Sequence, residues 1–276
     1  MASTVTEAPL GQLTAVPANA GNANLAGALK SEFTKIRSVR STYWNLLGMV
    51  IVSIGFGALA GYGATRNPHG PGFDPTMHSL GGLYLSQLII AALGVIVITS
   101  EYSTKMIGTS LTAMPRRGTF IAAKAIVFGA IALVTGLITS FASFFVGQAI
   151  MSSHHINATL SQPGVLRAVV GGALFLTAVG LLGFGIGLLI RHTAGAISAA
   201  VALLFVASIL VNLLPQDWQN HVDRWLPAIA GGYVWSVVPQ QSPPATFGPW
   251  MGFAVLCGWA AVAIAGGMYL FRKRNA

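Results

Sequence analysis

Apolar residues along this chain fall in long uninterrupted blocks rather than in alternation. Six blocks, 43–63, 80–99, 120–148, 165–190, 194–214 and 249–271, reach the length of about 20 residues that an α-helix needs to cross a hydrocarbon core of roughly 30 Å. Membrane-spanning strands would instead show alternating segments of about 10 residues. The pattern therefore predicts an all-α polytopic membrane protein with about six transmembrane helices. The third and fourth blocks exceed what a bilayer requires, so those helices are expected to tilt or to project beyond it.

Two polar stretches between the blocks carry helical periodicity of their own. In "LKSEFTKIRSVRSTYW" the residues Leu29, Phe33 and Ile36 share one face, with Lys30, Lys35 and Arg37 displaced from it. This predicts an amphipathic helix over 27–41 lying in the headgroup plane. Arg40 sits nearer the apolar side, a defect in the pattern, and Tyr43 and Trp44 mark where the chain enters the bilayer. The second stretch, "SEYSTKMIGTSLTAMPRRGTF" over 100–120, separates the second and third blocks. Glu101 and Lys105 form an i,i+4 pair in the favourable order, and Tyr102 and Met106 share a face beside Ile107 and Leu111. Pro115 ends the helix, and Arg116, Arg117 and Gly118 turn the chain into the next span. Segment 100–117 thus reads either as a docking element for a soluble partner or as an interfacial helix resting on lipid.

The remainder divides simply. Residues 1–26 are small and polar, broken by Pro9 and Pro17, and lack a basic region followed by an apolar core. They are expected to form a disordered tail rather than a signal peptide, ahead of one transmembrane domain over 27–276. A long loop over 215–248 carries Trp218, Trp225, Trp235 and Tyr233, with Trp250 just beyond it, and is expected to set these rings as an aromatic belt at the headgroups. Gly57 with Gly61, and Gly183 with Gly187, form GxxxG spacings that suit close helix packing.

Composition and charge sharpen this picture. Hydrophobic residues make up 54% of the 276 and charged residues 8%, against about a quarter charged in a soluble domain. Lysine and arginine are distributed unevenly between the two sides. Lys30, Lys35, Arg37, Arg40, Lys105, Arg116, Arg117, Lys124, Arg191, Arg272, Lys273 and Arg274 fall on one side, and Arg66, Arg167 and Arg224 on the other. The positive-inside rule then places both termini in the cytoplasm. The formal charge of +9 points to anionic membrane lipids as partners, not to nucleic acid.

The residues that chemistry within a membrane would need are missing at mid-span. The six acids, Glu7, Glu32, Asp74, Glu101, Asp217 and Asp223, lie in tails, loops or span ends, which disfavours a proton or cation relay and an intramembrane protease. His154 and His155 are neighbours on one short loop, poor geometry for a metal. Asn157, Ala158 and Thr159 match a glycosylation sequon. Cys257 reads as a small buried side chain. No G-x-x-x-x-G-K-[ST] occurs, so no catalytic, metal or cofactor site is assigned; if the chain moves something uphill, the ATPase is another polypeptide. A non-transporting membrane scaffold or sensor component that docks a cytoplasmic partner is the alternative from a different functional class.

The stretches "LKSEFTKIRSVRSTYWNLL", "LGVIVITSEYSTKMIGTSLTAMPRRGTFIAAKAIVFGAIALVTGLITSFASFFVGQAI" and "IGLLIRHTAGAISAAVALLFV" resemble the permease subunits of ABC-2 type transporters, particularly those abundant in actinobacteria. The likeness covers roughly 27–274. It implies a type V exporter-like architecture in the cell membrane: an interfacial helix, six spans, and a coupling helix over 101–115 that fits a groove on a separate ATP-binding subunit, with Arg116 and Arg117 just after it. It further implies two ATPase copies carrying the ATP and magnesium. A second permease copy or a paralogue would complete the complex, with spans two and five near the dimer axis and re-entrant helices in the outer loop capping the path. Gln87 and Asn212 are then candidate polar groups along the translocation path of an exported hydrophobic or amphipathic compound.

Overall fold

The computed structural model describes residues 25–66, 73–103, 117–237 and 247–273. Within them the chain forms α1 (Leu25–Ser38), α2 (Arg40–Arg66), α3 (Pro75–Ser79), α4 (Leu83–Ser103), α5 (Arg117–Ser152), α6 (Val165–Ile190), α7 (Thr193–Val211), α8 (Gln216–Val222), α9 (Pro227–Gly232) and α10 (Pro249–Lys273). Single 3₁₀ turns, Asp223–Trp225 and Tyr233–Trp235, flank α9. No strand occurs among the described residues. Six helices, α2, α4, α5, α6, α7 and α10, are long and apolar enough to cross a membrane, matching the six apolar blocks with ends shifted by a few residues. The protein is thus an all-helical, multi-pass membrane protein.

Helix α6 is the centre of the bundle. Its apolar window is 72% buried within the chain, against 22% for α2, α7 and α10, so α6 is covered by protein while the other three keep faces for lipid or a further subunit. Glycine permits this crowding. A Cβ on Gly183 would stand 2.2 Å from the Ala91 carbonyl oxygen, and one on Gly94 would stand 2.2 Å from that of Gly180. The α4 and α6 backbones therefore touch, and dispersion replaces the hydrophobic drive that lipid does not supply. Gly57 is equally tight, against Ser79. Polar side chains within the bundle close on neighbours: Ser143 donates to the Ser53 hydroxyl at 2.9 Å, and Ser140 to the Val169 carbonyl at 2.6 Å.

Helix α7 is not regular throughout. Residues Ala202–Val206 wind as a π-helix, a rare form that is frequent at functional sites. At the opposite border Arg191 takes a left-handed conformation, φ 61°, where α6 ends and the chain reverses into α7. The His192 ring nitrogen then caps α7 by accepting from Gly195 N at 3.2 Å.

Two expectations about apolar positions are corrected. Trp235 is fully buried, edge-on to Tyr84 at 5.0 Å and beside Phe175, so it belongs to the packed cap rather than to an interfacial belt. Trp218, Trp225 and Trp250 are exposed. Cys257 is also exposed, on the outer face of α10, because that face has no protein neighbour to cover it.

Candidate functional site

Helix α1 carries Lys35 and Arg37 in its last turn, where the helix dipole favours cations. It packs on α5 with Ala28, Glu32 and Ile36 buried at i, i+4 and i+8. This revises the expected amphipathic face. Ile36 is buried and Leu29 packs against the core, but Phe33 is exposed, and the centre of the buried face is an acid. The chain breaks at Val39, and Arg40 already belongs to α2, so the helix ahead of the first span is Leu25–Ser38 rather than 27–41.

Glu32 is buried completely and divides its carboxylate between two lysines. Lys35 donates to Oε1 at 2.8 Å, and Lys124, from the start of α5, makes a short contact with Oε2. Lys124 also donates to Glu101 Oε1 at 2.7 Å, and Lys35 stands 3.6 Å from the same oxygen. Two acids and two lysines thus close one cluster joining α1, the end of α4 and the start of α5. Phe120 lies within it, its ring centre 5.6 Å from the Lys35 ammonium and 5.4 Å from that of Lys124, geometry that suits cation–π attraction. Burial works against the charged form of Lys35. Hydrogen bonding to Glu32 and the charge of Glu101 outweigh it, so its pKa rises above the ordinary lysine value. Glu101 Oε2 is buried with no hydrogen-bond partner among the described residues.

Beside the cluster, the Arg191 guanidinium sits over the rings of Tyr102 and Phe271, 5.3 and 5.7 Å from their centres, and donates to the Leu270 carbonyl at 3.2 Å. Thr193 donates to the Thr99 hydroxyl at 2.9 Å. The ends of α4, α6, α7 and α10 are thereby fastened to one another at the same end of the bundle.

Glu101 and Tyr102, expected in a docking element, lie in the last turn of α4. Glu101 pairs with Lys124 and Lys35, and Arg37 on α1 is exposed. Lys105, Met106, Ile107, Leu111, Pro115 and Arg116 lie outside the described residues, and Arg117 is described only as the first residue of α5. Segment 104–116 therefore leaves from α4 just past Glu101 and returns into α5 just ahead of Lys124. Sequence reasoning counted Lys124 and Arg191 only as topological charge, set Lys35 on the polar side of the first helix, and gave Glu32 no partner. The available signal was an acid at the i+4 position between Ala28 and Ile36 in an otherwise basic helix.

At the far end, Gln87 and Asn212 line one cavity of about 330 Å³ between α4, α7 and the cap built from the 3₁₀ turns and α9. Gln87 is buried and its Nε2 donates to the Tyr84 carbonyl at 3.0 Å. Asn212 is exposed; its amide donates to the Ser208 carbonyl at 3.0 Å and accepts from Gln219 at 3.2 Å.

Residues 28–214 match the model of a family described as ABC-2 family transporter protein. No curated protein matches the chain.

Proposed function

We propose, from the premise that the chain belongs to the ABC-2 transporter family and is a permease component of an ABC transporter, that it exports a hydrophobic or amphipathic compound on energy from separate ATPase subunits. The observation that carries this reading is the Glu32–Lys35–Glu101–Lys124 cluster. A force applied to 104–116 by a docked ATPase would reach α4 and α5 at their junctions with that segment. The cluster ties both junctions to α1, so the three helices would move as one body. A lone surface helix resting on lipid would need no such buried joint.

Two ATPase copies, holding the ATP and magnesium, would engage two permeases, either two copies of this chain or this chain with a paralogue. The uncovered apolar faces of α2, α7 and α10 suit lipid and a second permease. The lysine and arginine bias supports both termini, α1 and segment 104–116 in the cytoplasm of a cell membrane, with the loop over 215–248 outside.

Glu101→Gln tests the coupling role. The variant should insert normally, while ATPase association or substrate-stimulated hydrolysis falls at least tenfold, equivalent to about 1.4 kcal/mol. Both are read on the complex copurified in lipid nanodiscs. Wild-type values for both would reduce Glu101 to local electrostatics.

A further inference from the structure

The cavity shared by Gln87 and Asn212 has a chemical sign. Its wall combines the rings of Tyr84, Phe205, Tyr233 and Trp235 with one acid, Asp223. Among the described residues, the Asp223 side chain makes no ion pair and no hydrogen bond, and the neighbouring Arg224 does not pair with it. Burial pushes the Asp223 carboxyl above its ordinary value. It pushes the Tyr233 phenol upward as well, and the Asp223 charge adds to that shift. A cation beside an unpaired, partly desolvated carboxylate is attracted more strongly than it would be in bulk water.

A second group points the same way. Gln87 is 3% exposed and its Oε1 is buried with no partner, leaving an acceptor that an N–H donor would satisfy. The Trp235 indole N–H, on another residue of the same wall, is also buried without a partner. Aromatic faces attract cations, and a cavity of about 330 Å³ lies at the lower end of the range for small-molecule sites. The π-helical stretch of α7 contributes Leu204 and Phe205 to the wall.

We infer that this cavity takes an organic cation: an amphipathic molecule whose protonated amine pairs with Asp223 and donates to Gln87, while its apolar body lies among the rings. The inference deepens the proposed export function and rests on it for the meaning of the site, but binding to the permease alone does not depend on coupling to an ATPase.

The test uses the full chain in phosphatidylcholine nanodiscs, with empty discs subtracted. Three probes share one skeleton: 4-phenylbutylamine, protonated at neutral pH, 4-phenylbutanol and 4-phenylbutyrate. The amine should bind at least tenfold more tightly than the alcohol, and the acid most weakly. Asp223→Asn should bring the amine to within twofold of the alcohol while leaving alcohol affinity unchanged, which also shows that the cavity is intact. Asp223→Glu should retain the preference. Equal binding of amine and alcohol, tightest binding of the acid, or an undiminished preference in Asp223→Asn overturns the inference. The probe ranking in the unaltered protein decides the matter even where a variant does not fold. A neutral preference would leave the Glu101→Gln coupling result standing, and a failed coupling test would leave the binding ranking standing.

Discussion

At the α1 end, helices meet through ions: Glu32, Lys35, Glu101 and Lys124 share charges across α1, α4 and α5. At the opposite end, the segments meet through side chains bonded to backbone. Asp74 caps α3 by accepting from Thr76 and Met77, and its other oxygen accepts from Val237 N at 2.9 Å, linking the α2–α4 connection to the cap. Gln148 accepts from Ala158 N at 2.6 Å and donates to the Pro75 carbonyl and the Ser79 hydroxyl. Arg167 donates to the carbonyls of Val234 and Ser236. A bond to backbone fixes one geometry, because the backbone partner has no rotamers. Charges on long side chains can stay paired through small adjustments of the helices that carry them. The contrast fits a joint that keeps α1, α4 and α5 together as they move at the end where ATPase docking is proposed, and a fixed cap over the cavity.

Breaking the ionic joint should have the largest effect. Lys124→Met would leave buried Glu32 and Glu101 with only the half-exposed Lys35 between them, a loss of up to roughly 3–5 kcal/mol. Thermal unfolding of the purified chain in nanodiscs should show it. Adding Glu101→Gln should cost less than the sum of the single changes, because the residues act as one network. Strict additivity would mean that the cluster is a set of independent pairs.

The cap should respond more modestly. Asp74→Ala removes the α3 cap and the link to Val237, for about 1.5–3 kcal/mol, the range for hydrogen bonds to a charged group. Hydrogen exchange should rise at the backbone amides of Thr76, Met77 and Val237 while α1 stays protected. Faster exchange in α1 instead would show that the two ends are not separate units.

Lys35 should matter least, because its side chain is 40% exposed. Lys35→Ala is expected to cost about 0–1 kcal/mol. Since the folded protein holds the Lys35 pKa above its ordinary value of 10.5, its contribution is fully present below that value and is lost as pH rises through the higher folded value. Wild type and Lys35→Ala should therefore converge in stability only under strongly alkaline conditions. A difference that vanished near neutral pH would contradict the pairing.

The sequence by itself determined the number and approximate limits of the spans, because a bilayer sets the length of an apolar helix and each helix satisfies its own backbone locally. The ABC-2 resemblance was legible for a related reason: its motifs, such as "SEYSTKMIGTSLTAMPRR", are contiguous. The helix before the first span was legible too, but its orientation was not. Periodicity put Phe33 on one apolar face with Leu29 and Ile36, while only packing against α5 revealed that the face buried in the bundle is centred on Glu32. Tertiary structure alone decided the partners of Glu101, the burial of Trp235 and the meeting of Gln87 and Asp223 around one cavity. Glu32 and Lys124 are 92 positions apart, and Asp74 and Val237 are 163 apart. No local pattern encodes such pairs, because they exist only after the helices between them have packed.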